Sequence, residues 1–297
     1  KYYRLMQLKK MPEAPQIDAP LSLGQFFPDS DSDSEDDNQS SNKGQTNAEF
    51  DQCYEVQSVE ICGQHILIRQ YAFHSHNANR VWPGTFNLAE FLFRPEENEV
   101  GEDNETGSRH KYQKNWGSVL ELGTATGVLS ICLALSCTPK KENGPSGYDD
   151  SLHVCTDIVT SDVEDELGDI KENLKYNFEI NQFVSKKDDL DDTKRGIMPI
   201  HVPHTWGTGW KAAASRMGIS NKKFNTIIAS DILLYVSAYG ALVSTLKEIF
   251  NDNCYENPVF VMSWNRRMKE SKEFFDRMND VGFKCVHKGK CVYSFTL

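Results

Sequence analysis

Between residues 54 and 71, Val56, Val59, Ile61, Ile66 and Ile68 recur with short polar interruptions and break at Gly63-Gln64. That pattern predicts a β-hairpin. After Pro83 the period changes, and Phe86, Leu88, Ala89, Leu92 and Phe93 form the apolar face of a helix that the proline can start. A short apolar run at residues 119–122 leads into a turn of small residues and then a buried helix from Val128 toward Pro139. Strands are predicted at 152–160, 197–202, 224–230, 258–264, 283–287 and 290–295. Between them, Leu167, Ile170, Leu174 and Phe178 give one helical face, and Tyr239, Leu242, Val243, Leu246 and Ile249 give another, with Ser237 as its expected cap. A further amphipathic helix carries Met268, Phe275 and Met278 and ends at Gly282. Strands that alternate with helices predict a mostly parallel sheet of seven strands, with an antiparallel pair at the end and the hairpin in front.

Composition changes this picture mainly at the start of the chain. The 297 residues suffice for one large domain with loop insertions. Residues 1–50 contain DSDSEDDNQSS, which has too little apolar content to offset the entropy of ordering, so disorder is expected there and a folded domain over 51–297. Ser30, Ser32 and Ser34 read as part of a solvated acidic tail before they read as phosphorylation sites. The net charge of −11 argues against nucleic acid as the main partner and accommodates a basic protein more easily. The eight cysteines form no C-x-x-C pair; Cys132 and Cys155 sit in apolar runs as free thiols. This points to a reducing compartment, cytoplasmic with the nucleus as an alternative. No apolar run is long enough for a membrane span. A monomer is expected.

The turn VLELGTATG at 119–127 carries the first chemical signal. Glycine accepts positive φ and lets a ligand approach the backbone, which suits a nucleotide-like molecule. A dinucleotide turn is written G-x-G-x-x-G, whereas here Gly123 and Gly127 are separated by Thr124, Ala125 and Thr126, and Glu121 stands just before. A carboxylate repels a pyrophosphate and attracts the sulfonium of S-adenosylmethionine, so that cofactor is favoured over NAD. A plain strand-to-helix turn is the bland reading.

Further residues fall at predicted strand ends. Asp162 in TSDVED is placed to accept hydrogen bonds from ribose hydroxyls, with Asp157 as the alternate and helix capping as the competing role. Trp206 in HTWG and Trp82 in VWPGT are core anchors or walls against a purine. The histidine pairs 74/76 and 201/204 read as surface, structural or loop residues, with too few neighbours for a metal site. Asp231 interrupts an apolar strand run, where a carboxylate is costly without partners.

Taken in order, VWPGT, VLELGTATG, TSDVED, HTWG, ASDILLY and MSWNRR resemble the seven-β-strand, S-adenosylmethionine-dependent methyltransferases over roughly residues 54–297. More narrowly, they resemble the protein-lysine methyltransferases that act on elongation factors, chaperones and other non-histone proteins. The resemblance implies a Rossmann-like α/β fold of class I. It implies a cofactor pocket lined by Trp82, Glu121, Gly123, Thr124, Ala125, Gly127, Asp162, Val163, Trp206 and Ser230. It also implies an active-site acid at Asp231. The family motif of an acid followed three places later by an aromatic meets Leu234 here, with Tyr235 one place beyond; Tyr235 is therefore the candidate second catalytic residue.

On this reading the protein transfers a methyl group to lysine Nε of a protein substrate. Asp231 orients the amine, and Tyr235 or Trp264 walls the channel. Replacing Asp231 with Ala is then expected to abolish transfer and spare cofactor binding. The alternatives are a catalytically silent binding or scaffold protein, or methylation of a histidine, an N-terminal amine or a small molecule. The loops at 94–115, 185–196 and 208–223 are expected to rim the pocket.

Overall fold

The computed structural model describes residues 54–94, 115–137, 154–165, 167–191, 194–265 and 268–297. The expected acidic segment at 1–50, nearly all of the 94–115 insertion and the 139–151 loop lie outside the described residues.

The hairpin comes first, β1 (Tyr54–Ile61) pairing antiparallel with β2 (Gln64–Tyr71) across Cys62 and Gly63. Then follow α1 (Pro83–Leu92), β3 (Ser118–Leu122), α2 (Val128–Cys137), β4 (Asp157–Asp162) and α3 (Asp169–Ile180). The two-residue strands β5 (Phe183–Val184) and β6 (Gly196–Ile197) pair with each other, and β7 (Ile200–Pro203), α4 (Trp210–Arg216) and β8 (Phe224–Ser230) come next. The chain continues through α5 (Tyr239–Asp252), β9 (Cys254–Ser263), α6 (Ser271–Asp280), β10 (Lys284–Gly289) and β11 (Val292–Thr296).

Seven strands form the main sheet in the order β10-β11-β9-β8-β3-β4-β7. Its pairings are parallel from β9 to β7, and β11 runs antiparallel to both β9 and β10. Side chains alternate between the two faces of the strands. Val119, Ile228 and Val261 therefore pack with the hairpin, α1, α2 and α3, while Leu120, Ile227 and Phe260 pack with α4, α5 and α6. Both faces are covered, which is why β3 and β8 read as continuous apolar runs.

The hairpin is tied to the domain by side chains. Asn173, Asn177 and Asn181 recur every four residues and so share one face of α3 and its C-cap. Leu67 N–H donates to Asn181 Oδ1 at 3.0 Å, and Arg69 N–H donates to Asn177 Oδ1 at 2.7 Å. In return Asn181 Nδ2 donates to Leu67 O at 2.7 Å. Asn177 Nδ2 also reaches Thr126 O at 2.9 Å, joining the hairpin edge to the glycine turn. The outer edge of β2, otherwise a row of open backbone groups, is thereby satisfied. The Arg69 guanidinium lies 4.1 Å over the Tyr176 ring.

Several expectations change. The strand expected over 197–202 divides between β6 and β7, because Pro199 lacks an N–H for ladder pairing. Leu167 precedes α3 and is 79% exposed; Gly168, at φ 73°, turns the chain before the helix starts. Ser237 lies in a 3-10 turn, and α5 has no side-chain cap. Cys132 is a buried free thiol, whereas Cys155 is disulfide-bonded. No helix among the described residues is long and apolar enough to cross a membrane.

Candidate active site

The glycine turn is shaped by its neighbours. Gly123, Ala125 and Gly127 all have positive φ, at 68°, 49° and 82°. A Cβ on Gly123 would lie 2.7 Å from Ile232 Cγ2, and one on Gly127 would lie 2.7 Å from Leu174 Cδ2. Gly123 thus lines the ligand side, and Gly127 lets α3 pack close. Thr124 is buried and clips the turn to β4, its N–H donating to Ser161 O at 3.1 Å and its hydroxyl to the same oxygen at 3.2 Å. Ala125 holds a left-handed conformation that costs an L-residue about 1 kcal/mol. Asp162 anchors it, Oδ2 accepting the Ala125 N–H at 2.6 Å, while Oδ1 accepts the Val163 N–H at 2.8 Å.

Asp162 ends β4, and α3 starts only at Asp169 with Gly168 as its cap, so Asp162 does not cap that helix. Burial raises its pKa, opposed by the two backbone donors. Each oxygen retains a lone pair for a further donor. The alternate, Asp157, stands at the opposite end of β4 and pairs with Lys222 at 2.9 Å.

A cavity of about 230 Å³ opens at the carboxyl ends of the strands. It brings together Trp82, Gly123, Ala125, Asp162, Val163, Trp206, Ser230, Asp231 and Tyr235. Leu234 also lines it, so both residues at the family's aromatic position face the same space. The described residues of the loops at 185–196 and 208–223 supply none of its lining. A larger cleft of about 890 Å³ lies at strand starts, around Trp116, Gly117 and Asn225. Ligands of open α/β sheets bind at the other edge.

Asp231 is 3% exposed and sits at φ 51°. Its Oδ2 accepts the Gly84 N–H at 2.6 Å, and its Oδ1 accepts the Asn265 N–H at 3.1 Å. Gly84 is the second residue of α1, so this carboxylate satisfies a helix N-terminus from 147 positions away. A Cβ on Gly84 would lie 2.7 Å from Asp231 Cγ. Trp82, at the N-cap of α1, donates from Nε1 to Asn77 O at 2.9 Å. The half-exposed Tyr235 accepts a hydrogen bond from Asn77 Nδ2.

Glu121 stands just behind the turn, in a recess that shares Trp82, Gly123, Ala125 and Ser230 with the main cavity. It is 2% exposed and accepts a hydrogen bond from Ser130 Oγ. Burial pushes its pKa up to about 8. The folded state then holds a proton that the unfolded chain releases as pH rises through the ordinary value of 4.5. Stability from this group is full below that value and declines until pH passes about 8. Glu121→Gln is accordingly expected to melt above the wild type at pH 8, by an amount on the order of 2–4 kcal/mol, and with it near pH 4. Thermal melts across that range check this; a gap independent of pH would show that Glu121 is already charged in the fold.

Residues that the sequence reading set aside also enter the cavity. His76, Asn77 and His204 line it, although the histidines read as surface or loop residues. His204 is buried, its N–H donates to Asp162 O at 2.8 Å, and neither ring nitrogen has a partner among the described residues. Burial lowers its pKa, leaving a neutral ring with one donor and one acceptor. Its position immediately after β7, next to the strand carrying Asp162, was the available signal. No group of three or more metal-ligating side chains occurs among the described residues.

The donor set fits S-adenosylmethionine. Asp162 offers acceptors for ribose hydroxyls, Trp206 and Val163 offer apolar surface for a purine, and the orphaned His204 nitrogens suit the polar edge of a base. This sheet order, with such a cavity at its carboxyl edge, defines the class of Rossmann-like, S-adenosylmethionine-dependent methyltransferases. Within that class, a family model described as lysine methyltransferase matches residues 62–194 and 200–281, and the chain belongs to that family. The protein-lysine N-methyltransferase EFM6 of Saccharomyces cerevisiae is 22% identical over 167 residues, 56% of each chain. The match therefore spans little more than half of that relative. Among solved structures, a methyltransferase from Pyrococcus furiosus aligns with TM-score 0.36 and 15% identity over 60% of this chain and 74% of its own. An S-adenosylmethionine-dependent methyltransferase from Clostridium acetobutylicum aligns with TM-score 0.38 and 10% identity over 61% and 83%.

Proposed function

We propose that the protein transfers a methyl group from S-adenosylmethionine to lysine Nε of a non-histone protein. The observation that carries this reading is the convergence of Asp162, the Gly123–Ala125 turn and Asp231 on one cavity in a chain of the lysine methyltransferase family. When bound, S-adenosylmethionine supplies an electrophilic methyl on a positively charged sulfur. Asp162 and His204 hold the nucleoside, and Trp82 and Trp206 exclude water around it.

The acceptor nitrogen forms a bond to the methyl carbon as that carbon leaves sulfur, and the amine must first give up its ammonium proton. Asp231 has both oxygens tied to backbone N–H groups, so its carboxylate is held in a fixed place. In this proposal it orients the incoming amine while the proton passes to water. Tyr235 and Leu234 wall the approach. Calorimetry with S-adenosylmethionine, followed by labelled methyl transfer to a cell extract and mass spectrometry of the product, tests the reading. Binding and a methylated lysine are expected. Binding without transfer would leave a scaffold, and methylation at another residue type would replace the acceptor.

A further inference from the structure

The carboxylate of Asp231 belongs to two cavities. Besides the nucleoside-sized one, a separate recess of about 290 Å³ is lined by Arg80, Val81, Trp82, Pro83, Asp231 and Asn265. Trp82 and Asp231 line both. Asp231 accepts the N–H of Asn265, which also lines the recess, and that of Gly84, the neighbour of the lining residue Pro83.

We infer that the recess admits the acceptor lysine, and that Arg80 at its mouth selects a substrate with an acidic residue beside that lysine. The inference rests on the proposed function and adds the entry path and the substrate class. A lysine side chain is a stem of four methylenes ending in a compact charge. Val81, Trp82 and Pro83 offer an apolar collar for the stem, and the carboxylate lies at the depth where the nitrogen arrives. A transfer reaction needs its two reactants to meet, and this recess shares Trp82 and Asp231 with the cofactor cavity.

Arg80 is exposed, and its guanidinium lies 4.3 Å over the Trp82 ring. Among the described residues no carboxylate forms an ion pair with it. Its in-plane N–H groups remain available to a carboxylate, which the fork geometry favours. The chain as a whole is acidic, at −11, so the preference is local. It acts within a Debye length of the mouth and concerns the residues flanking the lysine, not the substrate's overall charge.

The test uses the full chain, labelled S-adenosylmethionine and cell extract. The lysine modified by the wild type is located by mass spectrometry, and the protein carrying it is purified as substrate. An Asp or Glu within three residues of that lysine is expected. Arg80→Gln should raise KM for this substrate about two- to fivefold, the effect of one exposed pair, with a smaller change in kcat. Arg80→Lys should restore most of it, and Arg80→Glu should be repaired by changing the substrate's acidic neighbour to Lys. Affinity for S-adenosylmethionine should stay level throughout. A modified lysine without an acidic neighbour overturns the inference, as does an unchanged KM in Arg80→Gln. A loss of cofactor affinity that matches the rise in KM would mean that Arg80 acts by supporting Trp82 and would also overturn it. If the wild type binds cofactor yet labels nothing, the proposed function fails first and this inference with it.

Discussion

Asp231→Ala should lower methyl transfer by about a hundredfold or more, the loss that follows a displacement of roughly 1 Å at a reacting centre. The same substitution should destabilise the fold by about 2–4 kcal/mol, because two backbone donors lose their acceptor. The Gly84 and Asn265 N–H groups both point at this carboxylate, and Gly84 belongs to the first turn of the helix that carries Trp82 at its N-cap. Cofactor affinity should therefore weaken too, which departs from the expectation drawn from sequence. Asp231→Asn should be milder in stability, since Asn tolerates the left-handed backbone at φ 51° and keeps one acceptor. Melting curves, calorimetry with S-adenosylmethionine and turnover on one substrate separate these effects. If Asp231→Ala melts and binds cofactor like the wild type while transfer disappears, the carboxylate acts on the amine alone and the helix-holding role is wrong.

Asn177→Ala should be the most damaging single change away from the cavity. Its side chain is fully buried and serves Arg69 N–H, Arg69 O and Thr126 O at 2.7, 3.3 and 2.9 Å. Removing it strands groups on both the hairpin and the glycine turn, at about 2–4 kcal/mol. For a domain of this size the melting temperature should fall by roughly 5–15 °C. Cofactor affinity should fall with it, since Thr126 belongs to the turn. Asn177→Asp should do no better, because it exchanges the required donor for an acceptor. A variant that melts within a degree of the wild type would show that water replaces the side chain without loss.

The layered sheet was legible because its signals are local. Alternation at 54–71, the turn at 119–127 and the apolar runs around Ile227 and Phe260 each declare their element within a few residues. Pro199 was visible too, but its effect depended on which strand the chain would pair with next. The partners of Asp231 could not be read, since they come from backbone groups 147 and 34 positions away. The role of the asparagines at 173, 177 and 181 could not be read either, because polarity alone does not distinguish a face toward water from one toward a strand edge. The raised pKa of Glu121 comes from the surrounding core, which its residue type does not show. His204 stood in a motif already singled out, yet its lack of partners is a property of the folded environment.

The cavity draws its lining from segments that begin at His76 and run to Ala241, joined by strands β3, β4, β7 and β8. None of these segments makes a partial version of it. Closing such distant stretches of chain is slow compared with forming helices and hairpins. During synthesis, the pocket therefore cannot be completed until the ribosome has passed Ala241, and a chain released earlier is a scaffold without a ligand to steady it. Cofactor can act as a late clamp on the finished domain, but it cannot guide the early steps of folding.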